Sequence, residues 1–64
     1  MKAQDRKAEL IRAGKKVSDI ATQVGFTPQH VSMVLHGKRR DPKTEAAIAR
    51  AIGTSVKRAF GEAA

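Results

Sequence analysis

VSDIATQVGFTPQHVSMVLHGKRR, residues 17–40, decides how the rest of the chain is read. Val17, Ile20, Ala21 and Val24 fall at i, i+3, i+4 and i+7, the spacing that sets four apolar side chains on one face of a helix. Gly25 follows the last of them and can turn the chain through the left-handed conformation without a Cβ penalty. A second helix then starts at once. Thr27 is a good N-cap, and Pro28 suits the first helical position because its missing N–H would have had no partner there. Phe26 and Val31 stand at N′ and N4 around that cap, the two positions of a hydrophobic staple.

The second helix, Pro28 to about His36, separates into two faces. At about 100° per residue, Val31, Val34 and Leu35 group on the inward side, and Gln29, Ser32, Met33 and His36 group on the outward side. A carboxamide, a hydroxyl, a thioether and an imidazole supply donors, acceptors and one soft apolar tip, with no acid to repel phosphate. Such a face suits a DNA groove.

The order of these residues resembles the helix-turn-helix of the Cro and lambda-repressor-type DNA-binding family. The matching positions are Ala21 at the fifth position of the helix pair, Gly25 at the ninth, and Ile20, Val24, Val31 and Val34 at the fourth, eighth, fifteenth and eighteenth. LHGKRR, residues 35–40, is similar to that family's ending of the recognition helix in a glycine and a basic residue, and the resemblance runs on through IGTSVKRAFGE, residues 52–62. It implies a compact, all-α, lambda-repressor-like fold that inserts residues 28–36 into the major groove. The chain departs from the family after Gly14, where Lys15 and Lys16 replace the usual apolar residue and capping Ser or Thr. Pro28 stands where some relatives carry a base-reading glutamine, so it leaves donor contacts to its neighbours.

The totals agree with a small polyanion binder. Sixty-four residues make one domain near the lower limit for folding without a metal or disulfide, and there is no cysteine. The interior is mostly Ala, Val, Ile and Leu, since the only aromatics are Phe26 and Phe60, and this favours packed helices over a sheet sandwich. No apolar run approaches the roughly 18 residues of a membrane span, and MKAQDRKAEL has no signal-peptide core, so a cytoplasmic protein is expected. The net charge is +7 and the pI near 10.7, a bias for which nucleic acid is the commonest partner. Between Asp19 and Asp41 there is no acid, and the formal charges there are Lys38, Arg39 and Arg40.

Three further helices flank this segment. The first covers about Ala3 to Ala13 and has a thin stripe of Ala3, Leu10 and Ala13, with Ala8 and Ile11 adjacent; it contributes least to the interior. Asp41 and Pro42 cap and open another over Pro42 to Ile52, with Ile48, Ala51 and Ile52 inward. Ser55 caps a last short helix carrying Val56, Ala59 and Phe60, after which Glu62, Ala63 and Ala64 are expected to fray.

Gln29 lies in the first turn, where the family places a base-reading side chain, and its amide can pair with adenine N6 and N7. Met33 is read either as a contact to a thymine methyl or as a plainly exposed side chain, and Ser32 as a groove contact or a surface hydroxyl. Thr27 is mainly a cap whose hydroxyl and following N–H groups also offer phosphate contacts. Lys38, Arg39 and Arg40 are expected to grip phosphates beyond the helix, with Lys16, Ser18 and the two histidines, His30 and His36, near the sugar-phosphate backbone. The histidines are six apart and lack metal-ligand spacing, so neither a metal nor another cofactor is expected.

One recognition helix reads few base pairs, so a homodimer on DNA is expected, meeting a palindromic operator whose half-sites lie roughly 34 Å apart. Val56 and Phe60 are the candidate subunit contact. No enzyme site is legible, no sensor segment suggests a small-molecule effector, and the expectation is a repressor. The resemblance associates such repressors with phages, mobile elements and autoregulated operons, hence with the prokaryotic nucleoid. The alternatives are an architectural or recombination accessory protein of low sequence specificity, and an antitoxin-like protein whose last helix a partner chain covers.

Overall fold

The computed structural model describes residues 1–61, which form α1 (Ala3–Arg12), α2 (Val17–Val24), α3 (Pro28–Leu35), α4 (Pro42–Ile52) and α5 (Val56–Phe60). No strand occurs among the described residues, so the all-α, five-helix expectation holds. The fraying expected of Glu62, Ala63 and Ala64 lies outside them.

Local chemistry sets each boundary. The first turn of α2 has a lysine at its N-cap, which offers no side-chain acceptor, and the Asp19 carboxylate instead accepts from the Lys16 backbone N–H at 2.9 Å. Gly25 ends α2 at φ 80°, and its N–H donates to Ala21 O at 2.9 Å. Thr27 Oγ1 accepts from the His30 N–H at 3.2 Å, which opens α3 on Pro28. Gly37, at φ 78°, closes α3 with a pair of bonds: its own N–H reaches Val34 O at 3.0 Å and the Lys38 N–H reaches Met33 O at 2.9 Å. Asp41 and Ser55 cap α4 and α5, accepting from the backbone N–H groups of Lys43 and Arg58.

Packing converts these pieces into one core. Against α2 and α3 lies α4, which also meets α1 and carries α5. Ile20, Val31, Val34, Leu35 and Ile48 are each at most 1% exposed, and Ala21, at 3%, leaves room for α2 and α3 to approach. Each fully buried aliphatic side chain of this size contributes about 1.5–3 kcal/mol of transfer free energy. Phe60 belongs to this core as well, at 5% exposure. That corrects its expected place at a subunit contact; of the two residues named there, Val56 alone remains at the surface.

The first helix contributes more than its thin stripe predicts. Arg6 is 2% exposed, with its Nε–H donating to Leu35 O at 2.6 Å and its Nη1 group to Met1 O and Ala59 O at 2.8 Å each. Its guanidinium carbon lies 4.5 Å from the Phe60 ring centroid. A buried cation is costly unless its donors are met; here carbonyls from the end of α3 and from α5 meet them. One side chain thus fastens α1 to the end of α3 and to α5.

Candidate nucleic-acid interface

The outward side of α3 is open where the residue pattern places it. Gln29 and His36 are exposed, Pro28 and Thr27 are exposed at its start, and Ser32 and Met33 are half-buried. Nothing tucks this polar side into the core, because Val31, Val34 and Leu35 take the opposite side at 0–1% exposure. Ser32 owes its partial cover to a cleft between α3 and α1, which it lines with His36, Lys7, Lys15 and Lys16. On the other flank, Phe26, Thr27, Gln29, His30, Met33 and Arg39 line a second, open concavity. Of the expected contact residues, Thr27, Gln29, His30, Met33 and Arg39 thus share one flank of α3 and Lys16, Ser32 and His36 the other, while Pro28, Ser18, Lys38 and Arg40 line neither concavity.

His30, expected near the sugar-phosphate backbone, is held by partners within the protein. Its Nε2 lies 2.8 Å from Asp41 Oδ2, both side chains are 17% exposed, and its ring lies against Phe26 with centroids 4.3 Å apart. Asp41 also accepts from the Thr44 hydroxyl at 2.6 Å. The Thr44 bond first and the His30 bond second hold the Asp41 carboxyl below the usual aspartate range. The aromatic contact of Phe26 is thus with His30, one turn into α3, while Val31 is wholly covered at 0% exposure.

The three cations after α3 differ from one another. Lys38 and Arg39 are exposed. Arg40 donates through Nε to Glu45 Oε2 at 2.7 Å, and the Glu45 side chain is only 4% exposed. Part of the charge expected to grip phosphate is therefore committed to a buried carboxylate of α4. Among the weaker candidates, Lys16 and Ser18 are both exposed at the start of α2, and the Ser18 carbonyl accepts from the Thr22 hydroxyl.

Arg6, Glu45 and the Asp41–His30 pair were missed as organising residues. The first two carried a faint signal. Arg6 falls between Ala3 and Leu10 on the apolar stripe of α1, and Glu45 stands three before Ile48 and seven before Ile52 on that of α4. A lone polar residue on such a stripe is a candidate for an internal partner.

Two short helices joined by a glycine turn, the second with a polar face clear of acid, define a helix-turn-helix DNA-binding protein. The chain belongs to the winged helix-turn-helix DNA-binding family, whose model matches residues 1–62. The described residues contain no strand from which a β wing could be built. No curated protein and no solved structure matches the chain significantly. No helix among the described residues is long and apolar enough to cross a membrane.

Proposed function

We propose that this chain is a sequence-specific, double-stranded DNA-binding regulator of the Cro and lambda-repressor type, acting as a repressor without a catalytic step. The observation that carries the reading is the exposure of Gln29 at the N-terminal turn of α3, between Met33 and Arg39 on one flank and Ser32 and His36 on the other. Gln29 reads an adenine, Ser32 and Met33 add contacts in the groove, and Lys38 and Arg39 anchor the phosphates beyond the helix. Lys16, Ser18 and His36 anchor the opposite side.

So short a recognition helix recognises few base pairs, so the protein binds as a homodimer assembled on a palindromic operator. Val56, 36% exposed on α5, is the apolar group left for that contact. The test compares the DNA around the gene's own promoter with random duplex at matched salt. Tighter binding to the promoter DNA is expected, and equal affinity for both would falsify the specific reading.

The net charge of +7 favours a second reading, an architectural protein held to DNA mainly by charge. It predicts a steep dependence of affinity on salt with little preference among sequences.

A further inference from the structure

Phe26 is one of two phenylalanines in the chain and the one that the core leaves out. Phe60 is 5% exposed and Phe26 45%, although the interior is otherwise built of small aliphatic groups. A ring left half in water on a DNA-facing flank is unfavourable in the free protein, so a contact that covers it gains from its burial. The ring is also held in position. It lies 4.3 Å from the His30 ring, and His30 is fixed by its 2.8 Å contact with the Asp41 carboxylate, which in turn accepts from Thr44.

Phe26 borders the same open concavity as Gln29, Met33 and Arg39, and no carboxylate lines it. Gln29 and Met33 are four apart on α3 and so share a face, with Phe26 before them at the turn. A carboxamide is thereby bracketed by two apolar groups, with a cation at the edge. In the major groove an A·T pair offers N6 and N7 of adenine to a carboxamide and the C5-methyl of thymine to an apolar surface, whereas a G·C pair has no methyl.

We infer that Phe26 and Met33 form a cradle for the C5-methyl group of a thymine, in the base pair read by Gln29 or the one beside it. Arg39 takes the adjoining phosphate. The inference rests on the proposed sequence-specific reading of the major groove and adds what that reading lacks, a residue outside α3 that selects a base.

The experiment first selects bound sequences from a random duplex pool, then replaces each thymine of the selected duplex by uracil, which removes only the C5-methyl. At one or two thymines the affinity falls about four-fold, the worth of one buried methyl-sized group. With Phe26→Ala or Met33→Ala the thymine and uracil duplexes bind alike. If the pool converges but uracil is tolerated at every thymine, or thymine preference survives in either variant, the methyl cradle is overturned and sequence-specific binding stands. A pool that never converges overturns both. The change is made in the DNA, so the result with the unaltered protein is independent of how either variant folds.

Discussion

The guanidinium of Arg6 stacks on the ring of Phe60, 4.5 Å from its centroid, and so joins the first helix to the last through a buried cation. The same group serves Leu35 O and Ala59 O, carbonyls at the end of α3 and within α5. Replacing Arg6 with Met keeps much of the volume but leaves those carbonyls without this donor. A loss of about 2–4 kcal/mol is expected in urea unfolding followed by helical circular dichroism. Arg6→Lys recovers only part of it, because one ammonium cannot reproduce the planar fork. A loss below about 1 kcal/mol for the Met variant would remove Arg6 from the centre of the fold.

The glycines that end α2 and α3 separate backbone strain from contact. Gly25 has φ 80° and open space around the position of a Cβ, so Gly25→Ala carries only the left-handed penalty, about 1 kcal/mol. Gly37 has φ 78°, and a Cβ there would meet Arg6 Nη2 at 3.3 Å. Gly37→Ala is therefore expected to be the more destabilising of the two in thermal melts. Equal melting temperatures would mean that Arg6 yields freely to the added methyl.

Asp41 gives stability a pH dependence. Its folded carboxyl titrates below its unfolded value because Thr44 and His30 favour the charged form. The contribution is therefore complete above the ordinary aspartate value of about 3.9 and is lost as the pH falls through the lower, folded value. Asp41→Asn removes this dependence. The melting temperatures of the two proteins should converge on acidification from pH 6 towards pH 3, and a constant gap would exclude Asp41 as the titrating group.

Division of labour on DNA is expected between Gln29 and Arg39. Gln29→Ala costs about 1–3 kcal/mol at one base position and relaxes preference there. Arg39→Ala weakens all sequences alike and lowers the slope of log affinity against log salt by about 0.9. Arg40→Ala should instead show first in stability, because it strips the 4%-exposed Glu45 side chain of its cation. Salt titrations and unfolding curves on the three variants distinguish these roles.

Periodicity and capping made the helices legible. Asp41-Pro42 and Gly53 bounded α4, and Ser55 and Gly61 bounded α5, because caps are local chemistry that two or three residues specify. The polar side of α3 was legible for the same reason: once Val31, Val34 and Leu35 are buried, Gln29 must face away. What escaped detection was long-range pairing. Arg6 reaches Leu35 across 29 positions and Ala59 across 53, and no helix-period pattern records which carbonyls an arginine on α1 will meet. His30 pairs with Asp41 only because the segment between α3 and α4 folds back, so a histidine expected near the sugar-phosphate backbone also supports Phe26. Phe60 was misplaced because the need for an aromatic under Arg6 is visible only once Arg6 is known to be inside.

The segment that carries Lys38, Arg39 and Arg40 is pinned at both ends. The backbone N–H groups of Gly37 and Lys38 fasten it to the end of α3, and the Asp41 carboxylate fastens its far end to His30 and Thr44. Its backbone is thus a closed strap with little room to wander. Ordering entropy of that loop is lost when the chain folds, before any duplex arrives, so under the proposed function a phosphate would meet a surface already shaped to receive it. Cutting the strap at Asp41 would loosen the grip on every sequence equally, even though the residue that was changed carries the same sign of charge as the DNA.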